Sequence, residues 1–421
     1  MKTGFLSPYV PGHFNPMTAL ARQLQSRNHE VVFITSRLVE PLVRTAGLPF
    51  VSFGEEESLS TIRGNAMSGL AQLSKLQGEE AARFALQIVA RRVETMWRTL
   101  PDVLAKEGVD ALVLDTYLFY SELIPMRLGM PYIQVSNALP FDWSGYTPLC
   151  LYGWPHERTP AALTRNREGL ERFTGFLTEV NAGTKLQAEN LGLDVDWNDA
   201  GSTTSKLAWL TQMPREFDFE DTNWPRQFHY AGPFHDGTGR AEIQFPREKL
   251  TGEPIVYASM GTLANGRPEI FRTIVSAVAS QKDVQLVLAV GEQINPEQIG
   301  PAPSNAIIVK QAPQLELLKR SSLCVTHAGL NTVLEALTQG VPQVAIPVTH
   351  DQPGVAARIA NRKTGVVTSL DKLTATHLSE LVSEVLEDSS YRNNARRIQE
   401  AIARRNGLSR AADLIEQAFE L

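Results

Sequence analysis

The chain has 421 residues, 43% of them hydrophobic and 20% charged, a balance that excludes a disordered protein and fits folded domains. Its length exceeds one ordinary core, so two or three domains are expected. A net charge of -6 gives no electrostatic case for nucleic acid, and Arg396, Arg397, Arg404 and Arg405 fall at helical repeats that read as a solvated face.

The opening "MKTGFLSPYVPGHFNP" lacks the uninterrupted apolar core of a signal peptide, and no segment nears the roughly 18 apolar residues that span a bilayer. Cys150 and Cys324 are the two cysteines, too few for a disulfide framework or a zinc site alone. Together these features predict a reducing cytoplasm, with peripheral membrane contact left open.

Short apolar runs alternate with helical patterns from the start. "TGFLS", "NPMTALARQLQSRN" and "EVVFITS" read as strand, helix, strand, with Asn15 as a cap and Pro16 at the first helical position. Residues 55–100 are expected to be mostly helical. "DALVLD" and "PYIQVS" read as buried parallel strands around a helical stretch at 121–128. Residues 141–200 begin irregular and aromatic and turn helical from 167.

Residues 232–248, "GPFHDGTGRAEIQFPRE", are rich in glycine and charge and read as a linker. The alternation then restarts with "PIVYASMG", "VQLVLAV", "AIIVK", "SLCVTH", "QVAIPV" and "GVVTS". Strands separated by helices imply right-handed crossovers and parallel sheets. The expected architecture is α/β, with two Rossmann-like doubly wound domains facing across a cleft. Residues 1–232 form the first domain, 233–250 the linker and 251–390 the second domain. The helical segment 391–421 is placed to pack back on the first.

The second domain carries the richer chemistry. "SLCVTH" puts His327 at the carboxyl end of a strand, and residues 329–332 open the next helix. Ligands of open parallel sheets bind beyond those carboxyl ends. Unpaired N–H groups at a helix start suit a phosphate, Gly329 permits close approach, and His327 can add a hydrogen bond. Glu335, about one turn inward, can accept from ribose hydroxyls. "SMGT", with Ser259, Gly261 and Thr262, is another small-residue turn at a strand end. "THDQPG" brings Asp351 and Gln352 to a third, where they can read sugar hydroxyls. Each feature alone also reads as a capped helix or a turn.

The stretch "QAPQLELLKRSSLCVTHAGLNTVLEALTQGVPQVAIPVTHDQ", residues 311–352, resembles the signature segment of the family 1 UDP-glycosyltransferases. The resemblance runs over nearly the whole chain and is greatest to the bacterial zeaxanthin glucosyltransferases. "YASMGTLANG", "FRTIVSA" and "DQPGVAARIA" have counterparts there, and "VSNALP" and "HYAGPF" match more loosely. It implies the GT-B fold, with UDP-glucose as donor substrate and no cofactor. By position, His327, Gly329, Asn331 and Thr332 would meet the diphosphate, with Ser259, Gly261 and Thr262 nearby. Glu335 would hold the ribose, Asp351 and Gln352 the hexose, and Gln311, Ala312 and Gln314 would lie by the nucleoside. Plant members begin the segment with a tryptophan that stacks on uracil. Gln311 stands in its place here, so base affinity would rest on backbone contacts.

In "YVPGHFNP", His13 sits between the first strand and its helix, and Asp115 closes "DALVLD". An alcohol is a poor nucleophile at neutral pH, and imidazole has a suitable pKa for the base. A carboxylate on its other nitrogen would fix the tautomer, as in a catalytic triad. The family uses a His–Asp pair here, which makes His13 the base and Asp115 its partner; Asp115 also reads as a helix cap. Phe14, Asn137, Trp143, Tyr146, Leu149 and Trp154 are expected to line an apolar acceptor site, with residues 70–97 as its other wall. An ordinary core between domains is the alternative for that cluster.

Asp194 and Asp196 in "DVD" follow a helical stretch and read as a surface loop, so no metal site is expected. The resulting expectation is an inverting glucosyltransferase making a β-glucoside of a lipophilic acceptor: a carotenoid, phenol, macrolide or sterol. A UDP-sugar 2-epimerase on the same fold and a non-catalytic sugar-nucleotide binder are the alternatives. "GHFNP" is no dinucleotide fingerprint, which argues against a nicotinamide enzyme. Oligomeric state is not legible.

Overall fold

The computed structural model describes the whole chain except residues 55–58, 74, 77, 236, 239–241, 263–265 and 282. Parts of the expected 55–100 helical region, the linker and the "TLANG" turn therefore lie outside the described residues.

Seven strands build the first sheet: β1 Lys2–Leu6, β2 Glu30–Thr35, β3 Phe50–Ser52, β4 Ala111–Asp115, β5 Tyr132–Ser136, β6 Trp209–Thr211 and β7 Phe228–Tyr230. They run in the order β3-β2-β1-β4-β5-β6-β7, every neighbouring pair parallel. The second sheet holds β8 Ile255–Ser259, β9 Gln285–Ala289, β10 Ala306–Val309, β11 Ser321–Thr326, β12 Gln343–Ala345 and β13 Gly365–Val367. Its order is β10-β9-β8-β11-β12-β13, again parallel throughout. In each sheet the first strand lies centrally, and the chain winds first to one side and then to the other. The crevices where the winding reverses fall between β1 and β4 and between β8 and β11, where such sheets bind ligands.

Strands buried on both faces read as continuous apolar runs, and "ALVLD" and "IVYAS" are buried at all five positions. The three-residue β3, β6 and β7 are not among the runs legible in the sequence. The helix after β1 spans Pro11–Ser26, which corrects the expected start at Pro16. Pro11 takes the first helical position, where a missing N–H costs nothing. His13 therefore stands in the first helical turn. The helical stretch expected at 121–128 is shorter, Leu123–Leu128. Between residues 59 and 107 there are two helices, Leu59–Leu73 and Gly78–Glu107. The aromatic segment leads into Pro160–Val180 and Ala182–Asn190.

The last helix, Gly407–Phe419, belongs to the first sheet's core. Leu408, Ala411, Ala412, Ile415 and Phe419 pack with Phe5, Leu20 and Phe33. Arg27 of the first helix pairs with Asp413 and Glu416 at 2.6 and 2.7 Å. The chain thus crosses between the sheets twice. Among the described residues, no helix is long and apolar enough to cross a membrane.

Candidate active site

His13 and Asp115 meet at the crevice of the first sheet. His13 Nδ1 lies 2.8 Å from Asp115 Oδ2, with 14% and 0% of their side chains exposed. Asn137 Nδ2 donates to the same oxygen at 2.7 Å, and Asp115 Oδ1 accepts the Tyr117 N–H at 2.9 Å. The carboxylate is thus fully engaged, and its cap-like bond to Tyr117 coexists with the one to the imidazole. Burial works against a charged His13, but Asp115, with Asp351 adding, outweighs it and holds the imidazole pKa above its ordinary value. With Nδ1 held by Asp115, the ring's basic position is Nε2.

His327 follows β11 and precedes the helix Leu330–Thr338. Its ring is clasped by two glycines: a Cβ on Gly261 would fall 2.5 Å from Nε2, and one on Gly329 only 2.4 Å. Any side chain there would evict the ring. Gly261 has φ +68, and Ala328 takes φ +64 to make the turn into the helix. Burial pushes His327 down to about 4 against a bond to the Ser259 backbone, with His350 adding a little. The ring is neutral at pH 7, carries one N–H, and stands beside the unpaired N–H groups of a helix start. Such a donor set suits an anion.

Deeper on this helix, Glu335 is 3% exposed and accepts from Gln314 Nε2 at 2.5 Å. Gln314 also accepts from the Tyr257 hydroxyl at 2.9 Å and donates to Thr332 Oγ1 at 3.4 Å. Gln311 donates to Glu292 at 2.8 Å on the surface, and Ala312 is buried. Asp351 and Gln352 open the helix Gln352–Asn361. Gln352 Oε1 accepts the Val348 and Thr349 N–H groups at 2.8 and 3.0 Å, so only its amide N–H groups are offered to a ligand. Asp351 Oδ2 accepts the Leu139 N–H at 3.0 Å.

A polar chain links these two constellations. Gln212 Nε2 donates to the Asn137 carbonyl at 2.5 Å and to Asn331 Oδ1 at 2.9 Å. Asn331 Nδ2 donates to the Gly12 carbonyl at 2.6 Å, one residue from His13. Gln212, at the end of the short β6, was missed by sequence reading and gives no motif. His350 was also missed. Its backbone is left-handed, φ +56, its Nδ1 is buried without a partner, and burial, with His13 adding, holds it near 4.

The residues expected to line the acceptor divide. Asn137 and Leu149 are 0% and 1% exposed, and Phe14 is 6% exposed against Phe33. As the chain stands these three support rather than line a surface: Asn137 orients Asp115, and Leu149 packs in the core with Phe141 and Phe173. Trp143, Tyr146 and Trp154 remain partly exposed. Trp143 stacks on Phe141 at 5.3 Å and Trp154 on Tyr152 at 4.0 Å. Tyr117, missed in the sequence, brings this aromatic cluster within 4.9 Å of the His13 ring. Ser259 Oγ accepts the Gly261 N–H at 3.3 Å, and Thr262 is exposed beside it. Asp196 closes a turn by accepting the Asn198 N–H at 2.9 Å. Among the described residues, no three His, Cys, Asp or Glu side chains gather as a metal cluster.

Residues 214–404 match the family model described as UDP-glucoronosyl and UDP-glucosyl transferase. A zeaxanthin glucosyltransferase of Pantoea ananas is 26% identical over 420 residues, covering 98% of this chain and 95% of the relative. The NDP-glycosyltransferase YjiC of Bacillus licheniformis is 33% identical over 406 residues, covering 96% and 94%. The calicheamicin glycosyltransferase CalG4 superimposes with a TM-score of 0.74 at 22% identity, covering 100% of this chain and 98% of that one. The chain belongs to the family 1 UDP-glycosyltransferases and has the GT-B fold. It is an enzyme that transfers a sugar from a nucleotide sugar.

Proposed function

We propose that this enzyme moves glucose from UDP-glucose to a hydroxyl of a lipophilic acceptor by a single inverting displacement. The observation that carries the reading is the His13–Asp115 bond of 2.8 Å at the crevice opposite His327. His13 Nε2 takes the acceptor's proton as its oxygen bonds to the sugar's anomeric carbon. The bond from that carbon to the diphosphate breaks on the opposite face, so an α-linked donor gives a β-glucoside. Asp115 stabilises the imidazolium that forms. The departing charge is met by the His327 N–H and the helix start, with no metal.

Glu335 and Gln314 are assigned to the ribose and nucleobase side, Asp351 and Gln352 to the hexose. Glucose and an apolar alcohol draw support from the relative named as a zeaxanthin glucosyltransferase and from the aromatic cluster around Tyr117. The test is incubation with UDP-glucose, with and without a panel of carotenoid, phenolic, macrolide and sterol acceptors, followed by mass spectrometry and NMR. A β-coupled product supports the reading. Epimerised donor, an α-linked product or binding without turnover would overturn it.

A further inference from the structure

The helix Gln352–Asn361 belongs to the second domain, yet the first domain grips it at three heights. At its start, the Leu139 N–H donates to Asp351 Oδ2 at 3.0 Å. In the first turn, the Gly354 N–H donates to the Cys150 carbonyl at 2.9 Å. The backbones are so close that a Cβ on Gly354 would fall 2.6 Å from that oxygen. In the second turn, Arg358 reaches Asp218 Oδ1 with Nε at 2.9 Å and Nη2 at 2.8 Å. The two side chains are 3% and 0% exposed.

Both Asp218 oxygens and all three Arg358 nitrogens are engaged. Asp218 Oδ2 accepts from the Tyr230 hydroxyl at 2.6 Å and from Trp224 Nε1 at 3.0 Å. Arg358 Nη1 donates to the Gly354 carbonyl at 3.1 Å, and its guanidinium lies 4.4 Å over the Phe219 ring. One turn on, Arg362 donates to the Asp218 carbonyl and pairs with Glu220. Taking two charges out of water often gains no more stability than an apolar pair of the same shape. A planar fork fixed at both ends does give direction. The direction it fixes is that of the helix whose first residues are Asp351 and Gln352.

We propose that Arg358 and Asp218 are a positioning pair for sugar transfer, through which the acceptor domain sets how the donor hexose is held and which hexose is chosen. The inference rests on the assignment of Asp351 and Gln352 to the hexose. A tilt of this helix moves both side chains relative to His13 while leaving His327, Gln314 and Glu335 on their own elements. It therefore changes turnover and sugar choice more than nucleotide affinity.

The experiment compares the full chain with Arg358→Lys, Arg358→Gln, Gly354→Ala and Gln352→Ala. Calorimetry gives the Kd for UDP, and circular dichroism the folded fraction. Steady-state kinetics with one phenol give kcat and KM for UDP-glucose and UDP-galactose. Gly354→Ala pushes the helix off Cys150 without disturbing the buried charges, so it decides the matter if Arg358→Gln fails to fold. For Arg358→Gln and Gly354→Ala, kcat per folded molecule with UDP-glucose should fall about 10–100-fold, the scale of a 1 Å misplacement. The UDP Kd should stay within about twofold, and the ratio of glucose to galactose transfer should fall at least about threefold. Arg358→Lys keeps the charge but loses the fork and should lie between. Unchanged kcat per folded molecule and an unchanged sugar ratio in both variants would overturn the proposal. If Gln352→Ala alters the ratio while those two do not, the positioning role falls and the hexose assignment stands. If Gln352→Ala leaves the ratio unchanged as well, the hexose assignment falls and the positioning role with it.

Discussion

Asn331 of the second domain donates its side-chain N–H to the carbonyl of Gly12 in the first, at 2.6 Å. That carbonyl is free because Pro16, four residues on, has no N–H to close the helical bond. A proline inside the first helix thus leaves an acceptor beside His13, and the first turn of the helix Leu330–Thr338 in the other domain fills it. Asn331→Ala removes this bond and the one from Gln212. It should cost about 1–3 kcal/mol of stability, because buried polar groups lose their partners. Urea unfolding of the two proteins measures it, and an equal midpoint and slope would show that the cross-cleft bonds contribute nothing.

His13 must be neutral to take a proton, and Asp115 holds its pKa above the ordinary 6.5 against the opposing effect of burial. The acid limb of kcat/KM should therefore lie above pH 6.5. Asp115→Asn removes the negative charge, so the limb should move to lower pH and the plateau should drop. His13→Ala should lose about 10²–10⁴-fold on an alcohol acceptor, and less on an acidic phenol that ionises unaided. Full pH profiles with both acceptors test this; an Asp115→Asn limb that moves upward would rule the pairing out.

His327 and His350 are both held near pKa 4 by burial, below the ordinary 6.5 of the unfolded chain. On these two rings the unfolded state therefore binds more protons below pH 6.5, so their contribution to stability falls as the pH drops from there toward 4, while Glu122, which burial raises to about 7, and Asp351, raised by burial, work in the opposite sense. Above 6.5 their contribution is fully present and flat. Melting temperatures between pH 8 and 4 show this as a difference: His327→Gln should lose less stability on acidification from pH 6.5 than the wild type. A His327→Gln protein that changes stability between pH 6.5 and 4 just as the wild type does would contradict the burial of this ring.

Glu335→Ala should raise the KM for the nucleotide sugar more than it lowers kcat. The expected loss is about 1–3 kcal/mol of ground-state binding, the range for a buried charged acceptor. Gln314 loses its partner in the same variant, so Gln314→Ala should give a smaller shift in the same direction. Donor saturation curves decide the point: an unchanged KM would remove Glu335 from the nucleotide site.

Activity should survive EDTA. The diphosphate is assigned to N–H groups and the neutral His327, a donor set that meets negative charge directly. Complete inactivation by the chelator, reversed by one divalent ion, would refute that assignment.

The sequence by itself determined the two α/β sheets, because strands buried on both faces must read as continuous apolar runs between helical repeats. It also determined where His13, Asp115, His327, Asp351 and Gln352 stand, since each follows or closes such a run, and that Glu335 lies about one turn into the helix after one. Only the tertiary structure decided what these residues touch. The first helix begins at Pro11 and not Pro16, because helix starts depend on which backbone groups find partners elsewhere, and Gly12 finds Asn331 from 319 positions away. Asn137 and Leu149 turn inward for the same kind of reason: burial is a property of neighbours, not of residue type. Gln212 and Asp218 carry no local signal at all, and Arg358, inside "DQPGVAARIA", carries none that names its partner. Their roles arise where two separately folded sheets close on each other, a contact that no periodicity within either one encodes.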